Sequence, residues 1–527
     1  MKRHPELKKR LIAVANKEEL ADLVIKNGRV IDVFTKDIFP ADVAIVDGVI
    51  AAIGSYEGKE TVDAAGMYVS PSFIDGHVHI ESSMVTPVEF AKVVLPHGVT
   101  TVITDPHEIA NVSGVNGLGE VMDFPAVRDR DHDMMRKLEV TERSGKVIDG
   151  HASGFLGDDI NIYRAANILT DHECTTAEEA LDRLRRGMYV IIREGSVAKN
   201  LHALLPLVTE KNANRFLFCT DDKHLDELIT EGSIDYNVRE AIKFGVDPAV
   251  AISIASLHAA ECYQLLNKGA VAPGYDADLL LVSDLQELAI ESVWKNGTKI
   301  VEKGRLVEQL LPATTVPEQL VDTVHIEPIT RQQLELPMKT EKAHIIGIQP
   351  NSLLTTHLVE KVHVENGRFV PSIEADQLKL AVIERHQATR KIGLGIVKGF
   401  GITRGAIAAT VAHDSHNLIV AGTNDDDMLT AIDTLQACGG GLTVVQNCAA
   451  LAVLPLQISG LMSVKSFHEV NEEIQQLNQA LRTIGADQSF NPFVTLSFLA
   501  LPVIPSLKLT NRGLFDVTSF AHIDIHA

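Results

Sequence analysis

Apolar residues near the start of the chain come in short alternating runs separated by turn pairs. Leu23-Val24-Ile25 and Val30-Ile31 flank Asn27-Gly28, while Val43 to Val46 and Val49 to Ile53 flank Asp47-Gly48. An Asx-Gly pair between apolar runs is a strong hairpin signal, so two short hairpins are predicted here. The same texture returns at Ala277 to Val282 and at Val293-Trp294-Lys295-Asn296-Gly297 before Ile300-Val301. Strands on both flanks of a long insertion are thus predicted to form one composite β domain, residues 1–66 with 271–310, as a split small β-sandwich.

Inside that insertion, residues 67–270, the period changes. Short apolar runs alternate with helical patterns, the βα alternation of a parallel sheet or barrel. Candidate strands are Tyr68 to Ile74, Val99 to Thr104, Val147 to Asp149, Met188 to Ile192 and Phe216 to Thr220. The strongest helix signal runs from Thr176 to Arg186, with a Thr cap and Glu178 and Glu179 at the positive helix end. Each candidate strand ends in polar, chemically able residues, which in a βα barrel line the catalytic face. After the Pro- and Thr-containing connector Leu311 to Pro317, residues 332–527 read as a separate C-terminal α/β domain.

Composition narrows the function classes. The chain has 527 residues, of which 45% are hydrophobic and 22% charged, which fits a folded enzyme-sized protein rather than a disordered one. With 48 Lys plus Arg against 70 Asp plus Glu, the formal charge of -22 repels phosphate backbones and anionic membranes. Nucleic acid and membrane partners are not expected. No run of 18 apolar residues occurs, and the five Cys are scattered with no CxxC pair, so a reducing, cytoplasmic setting is expected. The triple glycine Gly439 to Gly441 lacks the spacing and the Lys of a phosphate loop.

The composition's one unusual feature is 21 His, histidine being the commonest metal ligand. The sharpest local signal is Asp75-Gly76-His77-Val78-His79 at the end of an apolar strand, where alternation puts His77 and His79 on one face. An isolated HxH in so His-rich a chain arises by chance about as readily as by design. Further groups then appear in order at successive strand ends: Glu120, His151, His172 and Asp221. Each alone is an ordinary hydrogen-bonding or solvated residue, but the ordered series is not.

That series resembles the amidohydrolase superfamily, distorted (β/α)8 barrels with one or two metals at the mouth. More specifically, Pro71 to Met84, Thr104-Asp105-Pro106-His107-Glu108-Ile109-Ala110-Asn111-Val112, Ile192 to Ser196 and Thr220-Asp221-Asp222-Lys223-His224 are similar to the bacterial adenine deaminase family. So is the late segment Val411-Ala412-His413-Asp414-Ser415-His416-Asn417. The resemblance implies His77 and His79 on one metal, His151 and His172 on the other, Glu120 as the bridging carboxylate and Asp221 as the last-strand ligand. Without thiolate, this donor set suits two divalent ions, Mn ahead of Fe or Zn. The implied reaction is hydrolytic deamination of adenine to hypoxanthine and ammonia by metal-activated hydroxide, in purine salvage. Asp221 would shuttle protons, His107 and Glu120 would serve the ring nitrogen, and Glu81, Glu108 and Glu194 would contact substrate. A homo-oligomer, specifically a dimer, is the expected assembly.

One departure stands out. Only 16 residues separate Ile103 from Glu120, whereas the resemblance requires a further βα unit there and a βαβ unit takes ~30 residues. Either the barrel lacks its third strand or the chain is an internally shortened form. Two alternatives to adenine deamination follow: a non-catalytic amidohydrolase fold with a decayed site, or another cyclic amide or amine hydrolase.

Overall fold

Five strands arise from the first alternating stretch: β1 (Ala21–Ile31), β2 (Ile38–Val46), β3 (Val49–Gly54), β4 (Gly58–Asp63) and β5 (Tyr68–Pro71). The computed structural model describes residues 4–105, 117–307, 311–312 and 315–527. Asp47-Gly48 makes the expected tight turn: both residues have positive φ, 48° and 76°, and Val46 pairs with Val49 across it. Asn27-Gly28 does not turn the chain. β1 runs straight through it, with Asn27 at φ 57° in a bulge between Ile25 and Gly28. Both halves of β1 bond the same partner, from Leu23 opposite Ile45 to Ile31 opposite Ile38. Asp42 and Asp63 accept the Asn27 backbone and side-chain N–H groups, so flanking strands satisfy the bulge and no reversal is needed.

The predicted strand Tyr68 to Ile74 is two strands in two sheets. β5 ends at Pro71, and β6 (Phe73–Val78) begins the barrel, followed by β7 (Val99–Thr104), β8 (Gly117–Val121), β9 (Val147–Gly150), β10 (Thr170–Asp171), β11 (Tyr189–Arg193) and β12 (Phe216–Cys219). Parallel ladders join β6 to β7, β8 to β9, and β10 through β11 to β12. Leu169 N–H to the Ile148 carbonyl (2.9 Å) links β9 to β10, and Asp221 N–H to the His77 carbonyl (3.0 Å) closes the last strand on the first. The predicted helix around Thr176 spans Ala177–Arg185, with Thr176 and Glu179 forming a reciprocal capping box.

Among the described residues no ladder joins β7 to β8. At the mouth of the barrel the Asp105 carboxylate accepts the Glu120 N–H at 2.7 Å. The seven described barrel strands therefore form a ring with one slot, next to the strand that carries Glu120.

Four strands after the barrel, β13 (Leu279–Val282), β14 (Ile290–Lys295), β15 (Thr298–Glu302) and β16 (Arg305–Leu306), return to the first sheet. The order is β16-β15-β14-β13-β5-β1-β2-β3 with β4 also on β1, so hydrogen bonding is continuous through both flanks of the insertion. Leu279 and Trp294 join Val30, Ile45 and Val69 in its core.

The C-terminal sheet has eight strands in the order Thr355–Lys361, Lys342–Ile348, Ile392–Lys398, Gln377–Ile383, Leu418–Gly422, Ala406–Ala409, Gly441–Gln446 and Ala449–Pro455. Helices Asp425–Ala437 and Phe467–Thr483 pack on it. One apolar cluster includes both barrel residues such as Phe90 and Ile234 and sheet residues such as Leu380 and Val444, and the Ser463 N–H bonds the Met84 carbonyl at 2.8 Å. Among the described residues no helix is long and apolar enough to cross a membrane.

Lys508, on strand Leu507–Thr510, is fully buried and donates to the carbonyls of Leu353 (3.0 Å) and Phe498 (3.1 Å). Burial pushes its pKa down to about 7. Its proton is then lost in the fold well before the unfolded chain, where a lysine titrates near ~10.4, gives up its own. Between those values the unfolded chain binds the extra proton, so stability rises with pH across that window. The melting temperature of the wild type should therefore gain on that of Lys508→Met between pH 6.5 and 9.5. Parallel curves would contradict this.

Candidate metal centre

The C-terminal ends of the barrel strands converge. On β6, alternation aims Asp75, His77 and His79 toward one side. Asp75 accepts the Thr220 N–H (3.1 Å) and hydroxyl (2.5 Å), which ties the first strand to the end of the last. His77 Nδ1 lies 2.9 Å from Asp149 Oδ2, and His79 Nδ1 bonds the Asp105 carbonyl. A carbonyl can only accept, and the Asp149 carboxylate is held ionised, so each Nδ1 carries the proton. The Nε2 atoms of both rings face each other at 3.1 Å, with Asp221 Oδ1 3.6 Å from one and 3.1 Å from the other.

Glu120 links this pair to a second. Its Oε1 is 3.6 Å from His79 Nε2, while Oε2 is 2.8 Å from His151 Nδ1 and 3.2 Å from His172 Nε2. Ligand atoms of His77, His79 and Glu120 lie within 4.8 Å of one another, as do those of Glu120, His151 and His172, and those of His77, His172 and Asp221. The structure thus gathers all six sequence-predicted metal residues, with Glu120 common to two sets.

The electrostatics call for positive charge. Burial disfavours the charged ring at each histidine, but surrounding carboxylates outweigh it. His77 is raised to about 9 by Asp149 and Glu120 against burial and the neighbouring His172, and His79 to about 10 by Asp222 and Asp221. His151 rises to about 9 through Glu173 and Glu120, and His172 to about 9 through Glu120 and Asp221. Burial would raise the Glu120 and Asp221 carboxyls, yet His151 and His172 hold the first well below the usual range, and Arg193 and His79 hold the second there. Imidazole nitrogens gathered among buried carboxylates, without thiolate, are a donor set that divalent cations suit. The residues present fit such ions.

Two buried ion pairs fix the ligand loops. Arg183 and Asp171 are both fully buried and 2.8 Å apart. Arg183 also donates to the Ala152 and Phe155 carbonyls at 2.6 Å each, so one guanidinium braces the segments after His151 and before His172. Arg193 bonds Glu173 and, at 2.9 Å, Asp221 Oδ2, which orients Asp221 from behind.

The other predicted residues fall differently. Glu81 is buried in the turn Ile80–Ser83 and lines a neighbouring cavity with Asp222, His224 and His413. Glu194 accepts the Leu201 N–H at 3.1 Å, at the start of helix Leu201–Leu204. His107 and Glu108 lie outside the described residues. Sequence reasoning passed over Asp149, Asp105, Glu173 and Arg193. Strand alternation carried a signal for Asp149, which sits two positions before His151, and for Arg193, the last residue of β11.

The chain matches the Amidohydrolase family over residues 68–123 and 113–301, and the Adenine deaminase C-terminal domain over residues 352–521. It is 50% identical to the adenine deaminase of Halalkalibacterium halodurans, over 98% of this chain and 97% of that one, and 51% identical to that of Geobacillus kaustophilus, over 98% of each. The adenine deaminase of Bacillus subtilis is 48% identical over 97% of both chains. The first alignment spans 570 positions against a chain of 527, so at least 43 of them face a gap in this chain. The Amidohydrolase match itself restarts at residue 113, within the short stretch before Glu120.

Elemental analysis of purified protein should find two divalent ions per chain. His77→Ala should lower that content, and Asp149→Asn, which removes the partner of His77 Nδ1, should weaken metal affinity by ~10–100-fold. Full occupancy in His77→Ala would contradict the ligand role.

Proposed function

Because this chain belongs to the adenine deaminase family of amidohydrolases, we propose that adenine hydrolysis takes place at the six-ligand cluster at the barrel mouth. The enzyme deaminates adenine to hypoxanthine and ammonia. The observation that carries the assignment to this site is the sharing of Glu120 by two histidine pairs beneath a cavity that is also lined by Asp221.

His77 and His79 would hold one divalent ion and His151 and His172 the other, with Glu120 between them and Asp221 completing the set. Divalent ions held by these residues would supply hydroxide near neutral pH. Asp221 is placed to take the proton of the attacking water and deliver it to the amine leaving carbon 6 as ammonia. A carbon–oxygen bond forms, the carbon–nitrogen bond breaks, and the ring settles as hypoxanthine. Arg193 keeps Asp221 oriented through its 2.9 Å bond to Oδ2, leaving Oδ1 facing the histidines.

Glu120 and His107 are the groups we assign to the ring nitrogen beside the attacked carbon, and Glu81, Glu108 and Glu194 to substrate contacts or their support. Mn is the metal we favour over Fe or Zn, in a cytoplasmic homodimer serving purine salvage. We divide the chain into a composite β domain (1–66 with 271–310), the barrel (67–270) and the C-terminal domain (332–527), with the correction that β5 (Tyr68–Pro71) belongs to the β domain's sheet, where it pairs with β1 and β13.

Protein loaded with Mn should convert adenine to hypoxanthine with one ammonia per turnover. Arg193→Met should keep its metal but lose turnover by ~100-fold or more, on the scale of a displaced general acid–base group. Absence of ammonia release from fully metallated wild type would refute the reading, and an unaltered kcat in Arg193→Met would refute the role of the ion pair.

A further inference from the structure

The helix Pro492–Phe498 of the C-terminal unit borders two cavities. Its Phe493 and Val494 line the one that holds Glu81, Asp222 and His224, and its Phe498 lines the one over the cluster; Asp222 lines both. At the helix start, Asn491 Nδ2 lies 3.2 Å from His224 Nδ1, a contact between the C-terminal unit and the barrel. We propose that Asn491 is a positioning residue for the deamination: it fixes His224 in the tautomer whose Nε2 carries the proton, so that a donor rather than a lone pair is presented among the carboxylates beside the metal cluster. The inference rests on the adenine-deaminating function stated above and adds a residue to that site.

The orientation of the amide supplies the first step. An asparagine side chain can be placed either way round, and its hydrogen bonds decide which way is right. Asn491 caps the helix, its Oδ1 accepting the Phe493 N–H at 3.1 Å and the Val494 N–H at 3.2 Å. A backbone N–H only donates, so the amide oxygen must lie on the helix side. That leaves the Nδ2 group facing His224, and an amide N–H only donates as well. His224 Nδ1 therefore accepts, and the ring's proton sits on Nε2. A doubly protonated ring would set N–H against N–H at this contact, so the contact selects the neutral form.

The backbone of His224 is anchored by the barrel. Its N–H donates to the Ser196 hydroxyl oxygen at 2.9 Å, and the Leu228 N–H bonds its carbonyl at 3.0 Å. The Ser196 N–H bonds the Asp222 carbonyl at 2.9 Å, so one serine ties together the loop that carries both residues. With the main chain held on one side and Nδ1 on the other, the ring cannot turn over without losing Asn491.

The surroundings make the choice of tautomer matter. Asp222 and Asp226 both act on the ring as negative charges, and Glu81 shares the cavity with it. A lone pair turned toward carboxylates in a low-dielectric space is repelled, whereas an N–H is attracted. Asp222 in turn accepts the Ser82 hydroxyl, is one of the charges acting on His79, and directly follows the cluster residue Asp221. Through Asp222, the state that Asn491 imposes on His224 reaches the cluster.

The test separates this role from helix capping. Asn491→Ser keeps a capping oxygen of about equal worth but is too short to reach His224. It should melt with the wild type and bind the same metal, yet lose ~10-fold or more in kcat. His224→Gln presents amide N–H groups that have no tautomer to fix; whatever its own rate, adding Asn491→Ser should cost it nothing further. In zinc-loaded protein, imidazole nitrogen NMR spectra, with His224→Gln as the subtraction, should assign the Nε2–H tautomer to His224 in wild type and a mixture in Asn491→Ser. A wild-type His224 protonated at Nδ1 would overturn the proposal without any variant. So would an unchanged kcat in folded, metallated Asn491→Ser, or an equal loss when that change is added to His224→Gln. The spectra read the tautomer independently of activity: the Nε2–H signature in a protein that releases no ammonia from adenine would strike the functional reading, and the role built on it, while the tautomer assignment stood.

Discussion

The constraint on which the rest of the structure depends is the meeting of imidazole rings and carboxylates in a buried space. His77 and His79 have their Nδ1 protons committed to Asp149 and Asp105, so their Nε2 atoms confront each other at 3.1 Å with Asp221 beside both. Unpaired, such an arrangement is costly in a low-dielectric interior. Positive charge would resolve it, and the surrounding pairs Arg183–Asp171 and Arg193–Glu173 hold the neighbouring groups of the cluster in place. Breaking a buried pair of this kind costs ~3–5 kcal/mol, because the partner left behind is an uncompensated charge. These ion pairs therefore bind stability and ligand geometry together.

Among the described residues no ladder joins β7 to β8, and there Asp105 links the two sides at the mouth by accepting the Glu120 N–H. Asp105 also offers its carbonyl to His79. A single residue thus couples the first histidine pair to the bridging carboxylate across the gap. A Cβ on Gly119 would fall 2.5 Å from the Asp105 carboxylate, so glycine is what allows that close approach.

The C-terminal unit is part of the site rather than an appendage. Its apolar cluster is continuous with the barrel's, and its loops form one wall of the cavity above the ligands. Barrel strand ends line that cavity on one side and the C-terminal unit lines it on the other.

Local pattern made much of this legible. Strand alternation in Asp75-Gly76-His77-Val78-His79, the capping box at Thr176, the turn at Asp47-Gly48 and the order of His, Glu and Asp at strand ends are short-range features set by backbone geometry and side-chain chemistry. The count of residues before Glu120 likewise set the expectation that a further βα unit does not fit there. What local pattern missed depended on distant partners. Asn27-Gly28 became a bulge because β2 and β4 flank β1 on both sides. Tyr68 to Ile74 split because its halves pair with different sheets. Asp149, Glu173 and Arg193 acquire their roles only when strands far apart in the chain are brought side by side. By itself the sequence determined which groups could bind metal and in what order they appear. Only the tertiary structure decided which charges face one another, because burial and proximity, not residue identity, set the electrostatic energy that makes those groups a site.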